Sequence, residues 1–276
     1  MTIYNNSSTD PSFQMTYVEK TRQVAGYHVA TDEDLTGLNK YADTLVNVAQ
    51  FYRRNLAFGR IIYLVKQDDQ IKALPVRFGK ENFAHLTGVV FDRKKASQML
   101  DEIADGKLSQ NAIFVKNDGT TFEKLAKIDE VMKITDSNVV ELSRLSAFVE
   151  QAKKLNFNKA IKPSDEALLA LKQVEPKIYR PYSLINLQTA KNSYSDYSNV
   201  PENEVLAVLS LTRNQLKGFS IGTLSINSEY VKDGRQLMEL TTKTRQILLK
   251  EYVAMQTRRK LATKQQNKTK KKGRER

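Results

Sequence analysis

The chain has 276 residues, 40% hydrophobic and 27% charged, enough to bury a sizeable core in one large domain or two small ones. It has no cysteine and only two histidines, which excludes disulfides, thiolate catalysis, cysteine-ligated zinc and a histidine-rich metal site. The net charge of +13 is concentrated: residues 258–276 hold ten Lys or Arg against one acid, a net +9, leaving +4 for the 257 residues before them.

In chain order, residues 1 to about 30 are rich in Asn, Ser, Thr and Asp and read as a flexible lead-in without the basic-then-apolar layout of a secretory signal. Thr31 or Asp32 is placed to cap a helix reaching about Leu56, with Leu35, Leu38, Ala42, Leu45, Val46, Ala49 and Tyr52 on its buried face. RIIYLVK (60–66), the turn QDDQ and IKALPVRF (71–78) read as a hairpin, and Pro75 places its second strand at an edge or a bulge. Asp92 is placed to cap a helix with Ala96, Met99, Leu100 and Ile103 inward and Gly106 at its end. AIFVK then meets the turn NDGT, and Thr120 or Thr121 caps a helix carrying Phe122, Leu125, Ile128 and Met132.

From 138 to about 188 the pattern is strand-like: VVELS, EALLALKQV and KIYRPYSLINL. EVLAVLSLTRN and GFSIGTLSI form another strand pair, and residues 233 to about 260 form a long amphipathic helix. The tail ending KTKKKGRER is too polar and self-repelling to pack and reads as disordered. It attracts phosphate backbones without reading their sequence, or simply keeps the chain soluble. The fold class expected is α+β: a small, mostly antiparallel sheet with packed helices, a long C-terminal helix and a basic tail. The expected partition is a flexible segment (1–30), an α+β domain (31–230) and a helix with tail (231–276). No apolar run approaches the roughly 18 residues that span a bilayer, so no membrane is expected and the location expected is the cytoplasm.

No phosphate-binding Gly-rich loop, dinucleotide fingerprint, H-E-x-x-H or G-x-S-x-G occurs. The acidic pairs Asp68-Asp69 and Asp101-Glu102 read as solvated charges, so no metal is expected. His85, in FGKENFAHLTGVVF, has two readings: a structural ring packed beside Phe83 and Leu86, or an acid–base group with Arg77 and Lys80 near it in sequence. The second is what metal-independent RNA cleavage needs: a base for the 2′-hydroxyl proton and cations for the charged phosphorane. Ser183, and Thr223 with Ser225 on one face of a strand, are further hydroxyl candidates; Arg180 and Tyr182 in IYRPYS suit stacking on an RNA base or ordinary packing. In KNDGTT the turn offers backbone amides to a phosphate, but an N-cap is the simpler account.

Taken together, ENFAHLTG (81–88), DGTTFEKL (118–125) and the strands that follow resemble the phage-associated Barnase–EndoU–colicin–RelE-like nuclease families, particularly the fourth phage subfamily, over about residues 45–230. The resemblance implies a compact α+β fold with a four- or five-stranded antiparallel sheet, and a metal-independent ribonuclease of toxin or effector type, without a cofactor. It matches His85 to the family's motif histidine, with Arg77, Lys80, Ser183 and Thr223 as site candidates. Arg180, Tyr182, Ser225 and the tail residues Arg258, Arg259 and Lys260 are the expected nucleic-acid contacts. RNA is the expected partner, ahead of DNA or an inhibitor protein; the alternative is a non-catalytic binding or accessory protein with a basic C-terminal arm.

Overall fold

The structure is a computed structural model that describes residues 11–16, 23–57, 59–68, 70–175, 178–190, 197–214 and 218–232, with scattered residues up to Gln246. The chain divides into two compact units, 1–227 and 228–276, and every element below belongs to the first.

Two short strands open it, β1 (Gln14–Met15) and β2 (Tyr27–Val29). Thr31 caps α1 (Asp32–Asn39): its hydroxyl accepts the Asp34 N–H at 3.1 Å, and the Asp34 carboxylate accepts the Thr31 N–H at 2.9 Å. The single helix expected up to Leu56 is interrupted at Lys40–Tyr41, and α2 (Ala42–Asn55) buries Leu45, Val48, Ala49 and Tyr52. β3 (Arg60–Gln67) and β4 (Gln70–Arg77) are the expected hairpin, in register from Arg60–Arg77 to Gln67–Gln70. α3 (Asn82–Thr87) and β5 (Val90–Phe91) lead to α4 (Ala96–Ala104), whose Met99, Leu100, Ile103 and Ala104 are buried. Lys95, not Asp92, precedes α4 as its cap, its N–H donating to Gln98 Oε1 at 2.9 Å.

β6 (Ser109–Gln110) pairs with β1, and β7 (Ile113–Lys116) lies between β2 and β5 in a three-stranded sheet. Gly119, at φ +75°, takes the cap position of α5 (Thr120–Leu125) that the sequence assigned to a threonine; a 3-10 helix covers Ile128–Thr135. β8 (Val140–Ser143), α6 (Leu145–Phe148), α7 (Glu150–Leu155), β9 (Lys159–Ser164), β10 (Ala167–Glu175), β11 (Ile178–Asn186), α8 (Leu187–Ala190), β12 (Glu202–Asn214) and β13 (Gly218–Ile226) complete the unit.

The sheet corrects the expected fold class. β12, β3, β4, β11, β10, β9 and β8 follow one another, and β8 returns to β12 through Leu142–Glu202, Glu141–Asn203 and Val140–Glu204. Seven strands therefore close a barrel instead of a small open sheet, and β13 pairs with β12 outside the ring. All neighbours in the ring are antiparallel except β4 and β11, which meet in parallel at the single pair Val76–Tyr179. The physical reason is the length of β12: its first residues reach β8 and its later ones β13, an edge pairing that alternation along each strand does not specify. Pro75 sits beside the parallel seam, where little ladder exists to lose a donor. The other part of the expectation, a long C-terminal helix with the basic tail including Arg258, Arg259 and Lys260, falls largely outside the described residues. The last element with given bounds ends at Ile226, and beyond it the described residues Arg235, Met238, Glu239, Thr241, Thr242, Arg245 and Gln246 are helical.

Alternate residues along the strands define two faces. Ile61, Tyr63, Val65, Val208, Leu169 and Leu184 share one core with the buried faces of α2, α3 and α4. Tyr63 also donates its hydroxyl to the Ile134 carbonyl at 2.9 Å. On the opposite face Ile62, Leu64, Ala207 and Leu209 are buried as well, and Ala160, Leu168, Ala170 and Ile185 pack in a second core with Leu145 of α6 and Ala152 of α7. No helix among the described residues is long and apolar enough to cross a membrane.

Candidate functional site

ENFAHLTG forms α3 because its apolar residues flank the histidine. Phe83 and Leu86 are fully buried, Phe83 edge-on to Tyr52 at 5.2 Å, while His85 between them remains exposed. The turn before α3 is pinned from both sides: Asn82 Oδ1 accepts the Gly79 N–H at 2.9 Å, and Tyr52 donates its hydroxyl to the Gly79 carbonyl at 3.0 Å. Gly88 ends the helix at φ +71°, a conformation that favours glycine.

The second motif is joined to the first through one buried hydroxyl. Thr121 donates to the Gly88 carbonyl at 2.9 Å and accepts the Lys116 N–H at 2.9 Å. One turn on, Lys124 Nζ donates to the His85 carbonyl at 2.7 Å. A Cβ added at Gly88 would meet Thr121 Oγ1 at 3.1 Å, so the two segments are in close contact. Asp118 fastens the turn itself, accepting from the Thr120 hydroxyl at 2.7 Å and its N–H at 3.1 Å. Burial pushes the Asp118 carboxyl up, but those two bonds and Lys116 outweigh it and leave it below its usual range.

This packing sets the electrostatics of His85. Partial burial holds its imidazole below the usual value of 6.5, and the cations Lys124, Arg180 and Lys116 push the same way against the weaker pull of Glu81. The ring is therefore a neutral base at neutral pH. Burial, reinforced by Lys116 and opposed by Asp118, lowers the Lys124 ammonium to about 8. Three cations around a neutral imidazole can receive an anion and remove a proton next to it.

Of the described site residues singled out from sequence, only Arg180 has its charge bearing on His85. Lys80 is turned to Asp101, with its Nζ 2.8 and 2.9 Å from the carboxylate oxygens, and Arg77 lies 3.7 Å from Glu175. Ser183 donates to the Leu184 carbonyl at 3.3 Å and Ser225 to the Thr135 carbonyl at 2.7 Å. Thr223 is exposed on β13, outside the ring. Tyr182 has the Lys172 ammonium 4.9 Å from its ring centroid. Sequence reasoning took Lys116 only as the start of the KNDGTT turn and Lys124 only as part of DGTTFEKL, and gave neither side chain a role. Thr121 and Lys124 are three apart, hence neighbours on one helix face, and that spacing was the available signal.

A model of the family described as phage-Barnase-EndoU-ColicinE5/D-RelE like nuclease4 matches residues 44–227, a span that holds His85, Lys116, Lys124 and Arg180. No curated protein and no solved structure matches the chain.

Proposed function

The chain belongs to the phage-Barnase-EndoU-ColicinE5/D-RelE like nuclease4 family, and from that premise we propose that it cleaves RNA without a metal ion, as a toxin or effector of a phage or mobile element. The observation that carries this reading is His85, exposed and held neutral under the charges of Lys124, Arg180 and Lys116, with Lys124 bonded to its carbonyl. His85 removes the 2′-hydroxyl proton, and that oxygen forms a bond to the adjacent phosphorus. The bond from phosphorus to the 5′-oxygen breaks, leaving a 2′,3′-cyclic phosphate. Lys124, with its ammonium near 8, returns a proton to the departing 5′-oxygen. Arg180 and Lys116 neutralise the charge that builds on the phosphorane.

The test is cleavage of a labelled RNA by purified full-length protein in excess EDTA. A cyclic phosphate product is expected, with no cleavage of the same sequence as DNA, which lacks the attacking hydroxyl. His85→Ala is expected to lose about 10²-fold or more in rate, the usual scale for an acid–base group. Equal rates for the two proteins would remove His85 from the mechanism; binding without turnover would favour a non-catalytic nucleic-acid-binding role.

A further inference from the structure

The other histidine, His28 on β2, has no part in the mechanism above. Its ring lies between two oxygens, with Nε2 2.9 Å from Asp34 Oδ2 and Nδ1 3.0 Å from Asn117 Oδ1. With the Asn117 oxygen toward the ring, both oxygens are satisfied together by a ring that carries both N–H protons. Asp34 is anchored in turn, because the same oxygen accepts from the N–H and the hydroxyl of Thr31, each at 2.9 Å, at the start of α1. Asn117 opens the turn that separates Lys116 from α5, and Lys116 and Lys124 are two of the three cations bearing on His85. One imidazolium thus ties the beginning of α1 to the segment that supplies most of the site's positive charge.

We propose that His28 is a positioning residue whose doubly protonated ring clamps the turn at Asn117–Thr120, and with it Lys116 and Lys124, onto the His85 site, and that the clamp opens when the ring loses a proton. The proposal rests on the reading of His85 as the reacting group.

The groups around the ring support this. From α1 it faces the Asp34 carboxylate, and from the turn the neutral Asn117 amide. On the adjoining strands Lys116 lies 5.5 Å from the Tyr27 ring centroid, and Asp118 is held by Thr120. The hydrogen bond to Asp34, helped by Asn117, outweighs partial burial and raises His28 above 6.5. The side chain is 41% exposed, so protons exchange freely with solvent. On deprotonation the carboxylate, the stronger acceptor, keeps the remaining N–H, and the bond from the ring to Asn117 Oδ1 is lost, so the amide holds the ring again only by turning over to donate to Nδ1. His85 is displaced in the opposite direction. There is consequently a pH window around 6.5 in which His85 is a free base and His28 still holds the turn. The rate should rise with pH as His85 loses its proton, fall as His28 does, and fall further as Lys124 loses its own near 8.

Two histidines give two imidazole resonances in the full-length protein, and His85→Gln assigns them. The expected result is that His28 titrates at a higher pH than His85 and that the backbone amides of residues 117–120 shift with the His28 midpoint. Asn117→Ala should lower that midpoint and pull the alkaline limb of RNA cleavage to lower pH; Asn117→Asp, which offers a charged acceptor, should raise the midpoint. Turn amides that ignore the His28 titration, or an unchanged midpoint in Asn117→Ala, would overturn the clamp. An intact amide response in a protein that cleaves no RNA would uphold the clamp and remove the reaction proposed for His85.

Discussion

Lys124 acts on His85 in two ways, through the hydrogen bond to its carbonyl and through the charge that helps keep its ring neutral. Lys124→Met keeps the apolar stem and removes both effects. The expected outcome is a His85 midpoint moved up toward 6.5 in an NMR titration, with RNA cleavage reduced about 10²-fold, the scale of a lost charge-stabilising donor. The sign of the pH dependence follows from the direction of the shift. His85 is lowered in the folded protein, so below 6.5 the unfolded chain takes up its proton first, and this group's contribution to stability falls as pH drops toward the folded value. Urea midpoints measured from pH 7 down to 5 should show that fall in the wild type and less of it in His85→Gln. Lys80 illustrates the limit of sequence proximity: it is five residues from His85, yet its ammonium is held by Asp101 of α4.

At the level of elements, the HLTG and DGTT segments work as a pair because the Thr121 hydroxyl is shared between Gly88 and Lys116. Thr121→Val conserves shape and leaves a buried carbonyl and a part-buried N–H without their partner, for an expected loss of about 1–3 kcal/mol in urea unfolding. Gly88→Ala meets the same joint from the other side, adding a Cβ 3.1 Å from that hydroxyl at a left-handed φ of +71°. Both variants should also move the His85 resonance, since α3 and α5 would shift against each other. The hairpin β3–β4 and the buried face of α4 were legible in sequence because local periodicity specifies them. The break between α1 and α2 was not, because the apolar spacing runs through Lys40–Tyr41 and the one marker, Gly37 in the last turn of α1, is tolerated inside a helix. The start of α5 was misread for a related reason: threonine is a favoured cap, but here Gly119 takes the positive φ of the turn and releases Thr121 for its tertiary role.

For the whole molecule the decisive feature is the return of β8 to β12. Glu141, 1% exposed at that seam, accepts from Lys159 Nζ on β9, from the Ser143 hydroxyl and from Asn203 Nδ2 of β12 at 2.7 Å. A buried carboxylate held from three strands favours the register that closes the ring, because a slip would draw it away from these partners. Lys159→Met removes the compensating charge and should cost about 2–3 kcal/mol in chemical unfolding, most of it the cost of a buried ion without its partner. A change well below 1 kcal/mol would show that the seam is held by the ladder alone.

By itself the sequence determined the hairpin β3–β4 and the buried face of α4, that the body is nearly charge-balanced, that His85 is one of two histidines, and the motif pair that marks the family. These are local properties, written in period, composition and spacing. The same reading took α6 and α7 as strand-like and β1 and β2 as a flexible lead-in. Only the tertiary structure decided that the sheet closes, that the cations around His85 come from β7, α5 and β11 and not from the residues next to it in sequence, and that Lys80 belongs to Asp101. The reason is physical: edge pairing and charge pairing are settled between segments far apart in the chain, where a single alternation pattern or a nearby lysine fits several partners equally well.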